Sequence, residues 1–173
     1  MNRRQFMSQS SVAAVGILLL PSLLLAQTET KKVEKPPQIS ANLVRDFVAA
    51  GHNNLAKVKE MLAGQPNLLF ACHDWGGGDF ETALEGAGHV GDAEIAEYLI
   101  GQGARPNIFV MSMLGNTEFV KAQIEKYPSL LRAKGPHGYT LLHHADRGGE
   151  PAAELVEYLT SKGLTEKKLA IYS

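Results

Sequence analysis

Cysteine is nearly missing from this 173-residue chain; Cys72 stands alone, so no intrachain disulfide can form. In an oxidising compartment such a chain rests on packing alone. The sequence has no Cys-x-x-Cys pair and no His-Glu-x-x-His, which leaves out the common zinc spacings. It also has no Gly-x-Ser-x-Gly elbow to present a serine nucleophile. Alternating β-branched runs are scarce, so strand signals are poor. Neither sign of charge is in surplus, with 17 Lys and Arg against 18 Asp and Glu. That balance gives no electrostatic reason to expect nucleic acid or an anionic membrane surface as a partner.

What the chain does have begins with a leader. Arg3 and Arg4 precede an apolar run from Val12 to Ala26. This is the layout of an export signal over residues 1–26, with an apolar core too short for a comfortable bilayer span. A single membrane anchor is the alternative. The stretch "NRRQFM" resembles the bacterial twin-arginine signal at Arg3, Arg4 and Phe6, and departs from its commonest form at Asn2, Met7 and Ser8. The resemblance implies export of an already folded chain to the periplasm. Cleavage is expected after Ala26, although Leu24 is large for its place, and no cysteine lies nearby to carry a lipid. Removing the leader takes two arginines and no acid, leaving 15 basic against 18 acidic side chains, net −3.

Residues 27–40, "QTETKKVEKPPQIS", are polar and carry Pro36-Pro37, which reads as a disordered linker. The domain spans 41–164, and "TEKKLAIYS" at 165–173 is a short tail. Within the domain, apolar pairs recur at i, i+4: Val58 and Leu62, Ile95 and Leu99, Val120 and Ile124, Leu155 and Leu159. Each pair follows a Gly- or Asn-containing turn and precedes a stop. The sequence also repeats itself at about sixty residues: "QPNLL" at 65–69 answers "YPSLL" at 127–131, "TALEGA" at 82–87 answers "TLLHHA" at 140–145, and "EYLIGQGA" answers "EYLTSKGL". The expectation is an all-α solenoid of about four helix-turn-helix repeats. These residues resemble the ankyrin repeat. Thr82, Leu84, Ala87, Gly91, Ile95, Leu99, Gly103-Ala104 and Asn107 match its signature, as do Thr140, Leu142, His143 and Ala145. Ala83, Leu141, Glu85 and Arg105 depart from it, and the first and third repeats are degenerate.

One stretch suggests something else. "GAGHVG" at 86–91 fits Gly-x-Gly-x-x-Gly letter for letter. A dinucleotide site needs a buried strand before the glycines and an acid about twenty residues on. "FETALE" precedes this one, and the distance beyond it lands in "RPNIFVMSM", which holds no acid. The glycines are therefore expected to end one helix and turn into the next.

The ankyrin resemblance implies a concave groove that binds a partner protein. Carried onto this chain, the groove takes His73, Asp74, Trp75, Asp79 and Glu85 from the second repeat, and His137, Tyr139 and His144 from the fourth. Phe109 of "IFVMSM" lies between them. Four residues are inserted in the loop "HDWGGGDF" at 73–80 relative to its counterpart, bringing Trp75 and three successive glycines. One reading makes Trp75 a mobile recognition element; the other folds it back over neighbouring helix ends. Cys72 is expected to be a small buried residue. Acids such as Asp79 and Glu81 read as a solvated face or a helix start. His52 and His89 fall in turns, and His143 falls on the signature histidine, which links neighbouring loops in that family. No metal or other cofactor is called for and no catalytic residue is assigned. The alternative to a recognition module is a small-molecule or metal-dependent enzyme with a cleft around His73, Asp74, Asp79 and His137.

Overall fold

The structure is a computed structural model that describes residues 35–172. The leader and most of the linker lie outside the described residues. A domain begins at Pro37, and 62% of it is helical. Its helices are α1 (Ala41–Ala50), α2 (Leu55–Gly64), α3 (Ala83–Val90), α4 (Ala93–Gly101), α5 (Ile108–Met113), α6 (Thr117–Lys126), α7 (Leu141–Gly148) and α8 (Ala153–Ser161). They come in four consecutive pairs joined by short turns. α1, α3, α5 and α7 pack in succession, and each also packs against the second helix of its own pair. Among the described residues, no helix is long and apolar enough to cross a membrane.

Local chemistry starts these helices where the sequence repeats. The Thr82 and Thr140 hydroxyls accept from the backbone N–H of Glu85 and His143. Glu85 returns its carboxylate to the Thr82 backbone, completing a capping box. "QPNLL" and "YPSLL" form matching 3-10 turns, Pro66–Phe70 and Pro128–Arg132, each opened by its proline. All eight residues of the four i, i+4 pairs are buried. The core has two parts that meet at α5, which gives Val110 and Met113 to one and Phe109 to the other. Burying a leucine such as Leu155 or Leu159 contributes about 1.5–3 kcal/mol over leaving it exposed.

The structure departs from the sequence reading first at the inserted loop. Between the first two helix pairs the chain makes a two-stranded antiparallel hairpin, β1 (Cys72–Asp74) and β2 (Phe80–Thr82), where only an inserted loop was expected. Three residues a side are too short for periodicity to reveal. Cys72, expected buried, lies exposed on this hairpin because its side chain points away from the helices. Partial burial and the Glu85 and Glu81 charges push its thiol up, away from the thiolate.

Residues on either side of 41–164 also make contacts with the domain. Ile39 packs on the core and Ser40 caps α1, so the folded part starts just before Ala41. The tail is docked: Thr140 N–H donates to the Lys167 carbonyl and Leu169 N–H to that of Gly138.

Candidate metal centre

Strand β2 inverts the usual rule of apolar inward and polar outward. Phe80 is 59% exposed while Glu81 is fully buried. The expected solvated face is therefore absent, and Asp79, 8% exposed, is buried with Glu81. A buried carboxylate needs compensating charge or hydrogen bonds, and three histidines gather around this one.

His52 sits in the turn after α1, His89 in the last turn of α3, and His137 in the 3-10 turn Pro136–Gly138. His89 Nε2 is 2.9 Å from Glu81 Oε1 and 3.0 Å from His52 Nε2. His52 Nε2 lies 3.4 Å from Glu81 Oε2, and His137 Nε2 lies 3.6 Å from Oε1. One donor atom from each of the four residues falls within 4.8 Å of all the others. Tetrahedral zinc with bonds of about 2.0–2.1 Å requires donors about 3.3 Å apart; four of the contacts bracket that spacing, and no pair in the set exceeds 4.8 Å.

The far side of two rings shows which nitrogen is engaged away from the cluster. His52 Nδ1 is 3.1 Å from the Val48 carbonyl, which can only accept, so Nδ1 carries the hydrogen. His137 Nδ1 is 2.7 Å from Asp79 Oδ2. In their neutral forms both rings therefore aim an Nε2 lone pair at the Glu81 carboxylate. Lone pairs and a carboxylate repel unless positive charge lies among them, either a metal ion or a proton on an imidazole. Glu81 Oε1 has these close neighbours yet accepts no hydrogen bond of acceptable angle. The carboxylate–histidine pairing of Asp79 and His137 is the outer-shell arrangement that orients metal-binding imidazoles.

The surrounding structure is built to hold this geometry. Asp79 Oδ1 also accepts from the His137 backbone N–H at 2.7 Å. His137 has φ 58°, the one non-glycine positive φ among the described residues, a conformation that costs about 1–2 kcal/mol. Trp75 folds back, its indole N–H donating to Glu81 Oε2 at 2.7 Å, although the residue stays 39% exposed. Burial works to raise the Glu81 carboxyl. Contact with His89, the charges of His52 and His89, and the Trp75 N–H outweigh it and hold the carboxyl below the usual range. A Cβ on Gly86 would stand 2.9 Å from the His52 ring, so the first glycine of "GAGHVG" makes room for a cluster residue.

The residues expected to form a groove divide into several roles. Asp79 and His137 come together as the rival cleft supposed, and Trp75 joins them. His73 stays outside the cluster, edge-on to Trp75 at 4.6 Å between ring centroids. Asp74 turns into its own loop, where Oδ1 accepts from Gly76 and Gly78 N–H. Those glycines and Gly77 all have positive φ, so a tight turn accounts for the triplet that read as a mobile tip. Glu85 serves its cap and accepts from the Asn107 side chain. Tyr139 stacks on His143 at 3.9 Å and on His89 at 5.2 Å. His144 is corrected as a groove-lining residue: it is fully buried with its ring against Phe109, because α5 and α7 pack face to face, whereas Phe109 edges a shallow groove with Asp79 and Glu85. His143 does link neighbouring elements, with Nε2 2.9 Å from the His89 carbonyl. Sequence reasoning missed His52, Glu81 and His89. They share no short motif, and only the inverted Phe80-Glu81 pair hints at an inward acid.

The chain matches no protein-family model, and no curated protein matches it.

Proposed function

We propose that this chain is a metal-stapled recognition module. It holds one divalent transition metal of the zinc class through His52, Glu81, His89 and His137. The observation that carries this reading is the convergence of three imidazole Nε2 atoms on one buried carboxylate, two of the rings held from behind at Nδ1 by Val48 and Asp79. Imidazole-rich sets suit zinc, copper, nickel or iron, and the Glu81 and Asp79 charges together balance a dication. Four protein donors fill a tetrahedral shell, the arrangement of a structural rather than a hydrolytic site. The metal would join the α1–α2 turn, the hairpin, α3 and the 136–138 turn, with no catalysis of its own.

The test is zinc titration by calorimetry on metal-stripped protein. One zinc per chain is expected, with affinity falling more than about 100-fold in His89→Ala, beyond the 10–100-fold typical of outer-shell losses. Weak binding of several ions, unchanged by His89→Ala, would overturn the reading.

The recognition half rests on the hairpin that the metal would fix. It presents Phe80, 59% exposed, and Trp75, 39% exposed, with Phe70 53% exposed just before it. On this reading the domain is an ankyrin-type solenoid exported to the periplasm, and its partner is another protein. Affinity capture from periplasmic extract with wild-type and Phe80→Ser baits tests this. A protein enriched only by the first supports it, and an identical profile from both removes the hairpin from recognition.

A further inference from the structure

The tail crosses the same loops that hold the cluster. Its Lys168 forms an antiparallel bridge with Tyr139. On either side, Thr140 N–H donates to the Lys167 carbonyl at 3.1 Å and Leu169 N–H to the Gly138 carbonyl at 2.8 Å. Lys134 Nζ reaches the Ala170 carbonyl at 2.9 Å, and the Lys168 ammonium lies 4.8 Å over the Tyr139 ring. Farther along, Tyr172 OH donates to the Gly76 carbonyl at 2.5 Å. Its ring covers Gly77, where a Cβ would meet it at 2.8 Å. The tail thus ties the segment carrying His137 to the loop between Trp75 and Asp79. A groove of about 440 Å³ runs beside it, with Asp79, His137 and Tyr139 in one wall and residues 168–172 in the other.

This contact is built differently from the core. The last fully buried residue is Leu164, and of residues 165–172 only Leu169 and Ile171 are even half-buried. Thr140 Oγ1 also donates to the Glu166 carbonyl at 2.7 Å and Lys167 pairs with Asp146 at 2.8 Å, but these bonds are largely at the surface. A segment held by exposed polar bonds with little buried apolar surface lies at the low-stability end of a fold and opens locally. We propose that residues 134–140 and the Gly76–Gly77 loop form a peptide-docking edge, occupied reversibly by the chain's own C-terminal segment. The mode is strand addition, in which main-chain bonds give affinity and side-chain positions give selectivity. The fitting ligand is an extended peptide with a lysine over Tyr139 and, four residues on, a tyrosine against Gly77. Resting on the metal reading, a second consequence follows: docking orders His137, Asp79 and Trp75, so peptide and metal each tighten the other's binding.

The experiment uses the chain with residues 167–173 removed and a fluorescent peptide KKLAIYS. The truncation leaves every core residue in place, and far-ultraviolet circular dichroism checks the helices. A second version keeps the full chain and carries Leu169→Pro, which removes the donor to Gly138. By fluorescence anisotropy the peptide is expected to bind both variants at least about tenfold more tightly than the full chain, whose own tail competes. Added zinc should tighten peptide binding by a further 5-fold or more, the lower end of ordinary coupling. A peptide that binds neither variant any better than the full chain overturns the docking edge. If the peptide binds and zinc binds without either affecting the other, the coupling is overturned and docking stands. A wild-type chain that takes up no zinc removes the metal reading, while peptide binding still decides the edge.

Discussion

Zinc is expected to raise the melting temperature of the metal-stripped chain by an amount that the site's geometry bounds. The four donors come from elements far apart in sequence, residues 52, 81, 89 and 137, so the unfolded chain presents no comparable site. A ligand that binds only the native state adds about 2.7 kcal/mol at a hundred times its Kd and about 4.1 kcal/mol at a thousand times. For a domain of this size each kcal/mol moves Tm by about 3–5 °C, so a hundredfold excess should give a shift of about 8–13 °C. The assay is differential scanning calorimetry in a non-chelating buffer, with and without zinc. Metal ligands must be neutral imidazoles and an ionised carboxylate, so the shift should shrink as pH is lowered through the histidine range. The control is the double variant His52→Ala/His137→Ala, which keeps the fully buried Glu81 and loses two donors. A wild-type shift under 2 °C at saturation, or an equal shift in the double variant, would refute the assignment.

Three further outcomes are expected. Gly86→Ala places a Cβ 2.9 Å from the His52 ring, which must shift; helix propensity returns up to about 1 kcal/mol against that displacement, so the metal-free fold should change little while the zinc shift falls sharply. Calorimetry in chelator and in zinc separates the two effects. Trp75→Phe removes the N–H that orients Glu81 Oε2 and should weaken zinc about 10–100-fold, read by competition with a chromogenic chelator. His144, fully buried with Nε2 unpartnered, is pushed down by desolvation to about 4. The unfolded chain therefore binds the proton first as pH falls from 6.5 toward 4, and stability is lost across that window. The loss should reach about 2 kcal/mol by pH 5. Urea titrations in chelator at pH 7 and pH 5 should show that extra loss in wild type and not in His144→Leu.

The helices were legible because their burial repeats within four residues. Val58 and Leu62 announce a buried stripe without any knowledge of the rest of the chain, and Thr82 and Thr140 mark helix starts through a bond three residues long. The cluster depends on contacts that no short window contains: Asp79 meets His137 across 58 positions, and His89 meets His52 across 37. Glu81 was hidden in a second way. In "DFETALE" the aromatic looks like the inward residue and the acids like the outward ones, and periodicity in so short a strand cannot say which alternate is buried. The fold chose the costly register. It leaves Phe80 in water and takes a carboxylate out of it, when a one-residue slip would have reversed both. Places where a chain breaks a local rule and compensates elsewhere are expected at functional sites. Here the compensation is visible as three imidazoles, an indole N–H and a strained His137 backbone, all turned toward one carboxylate.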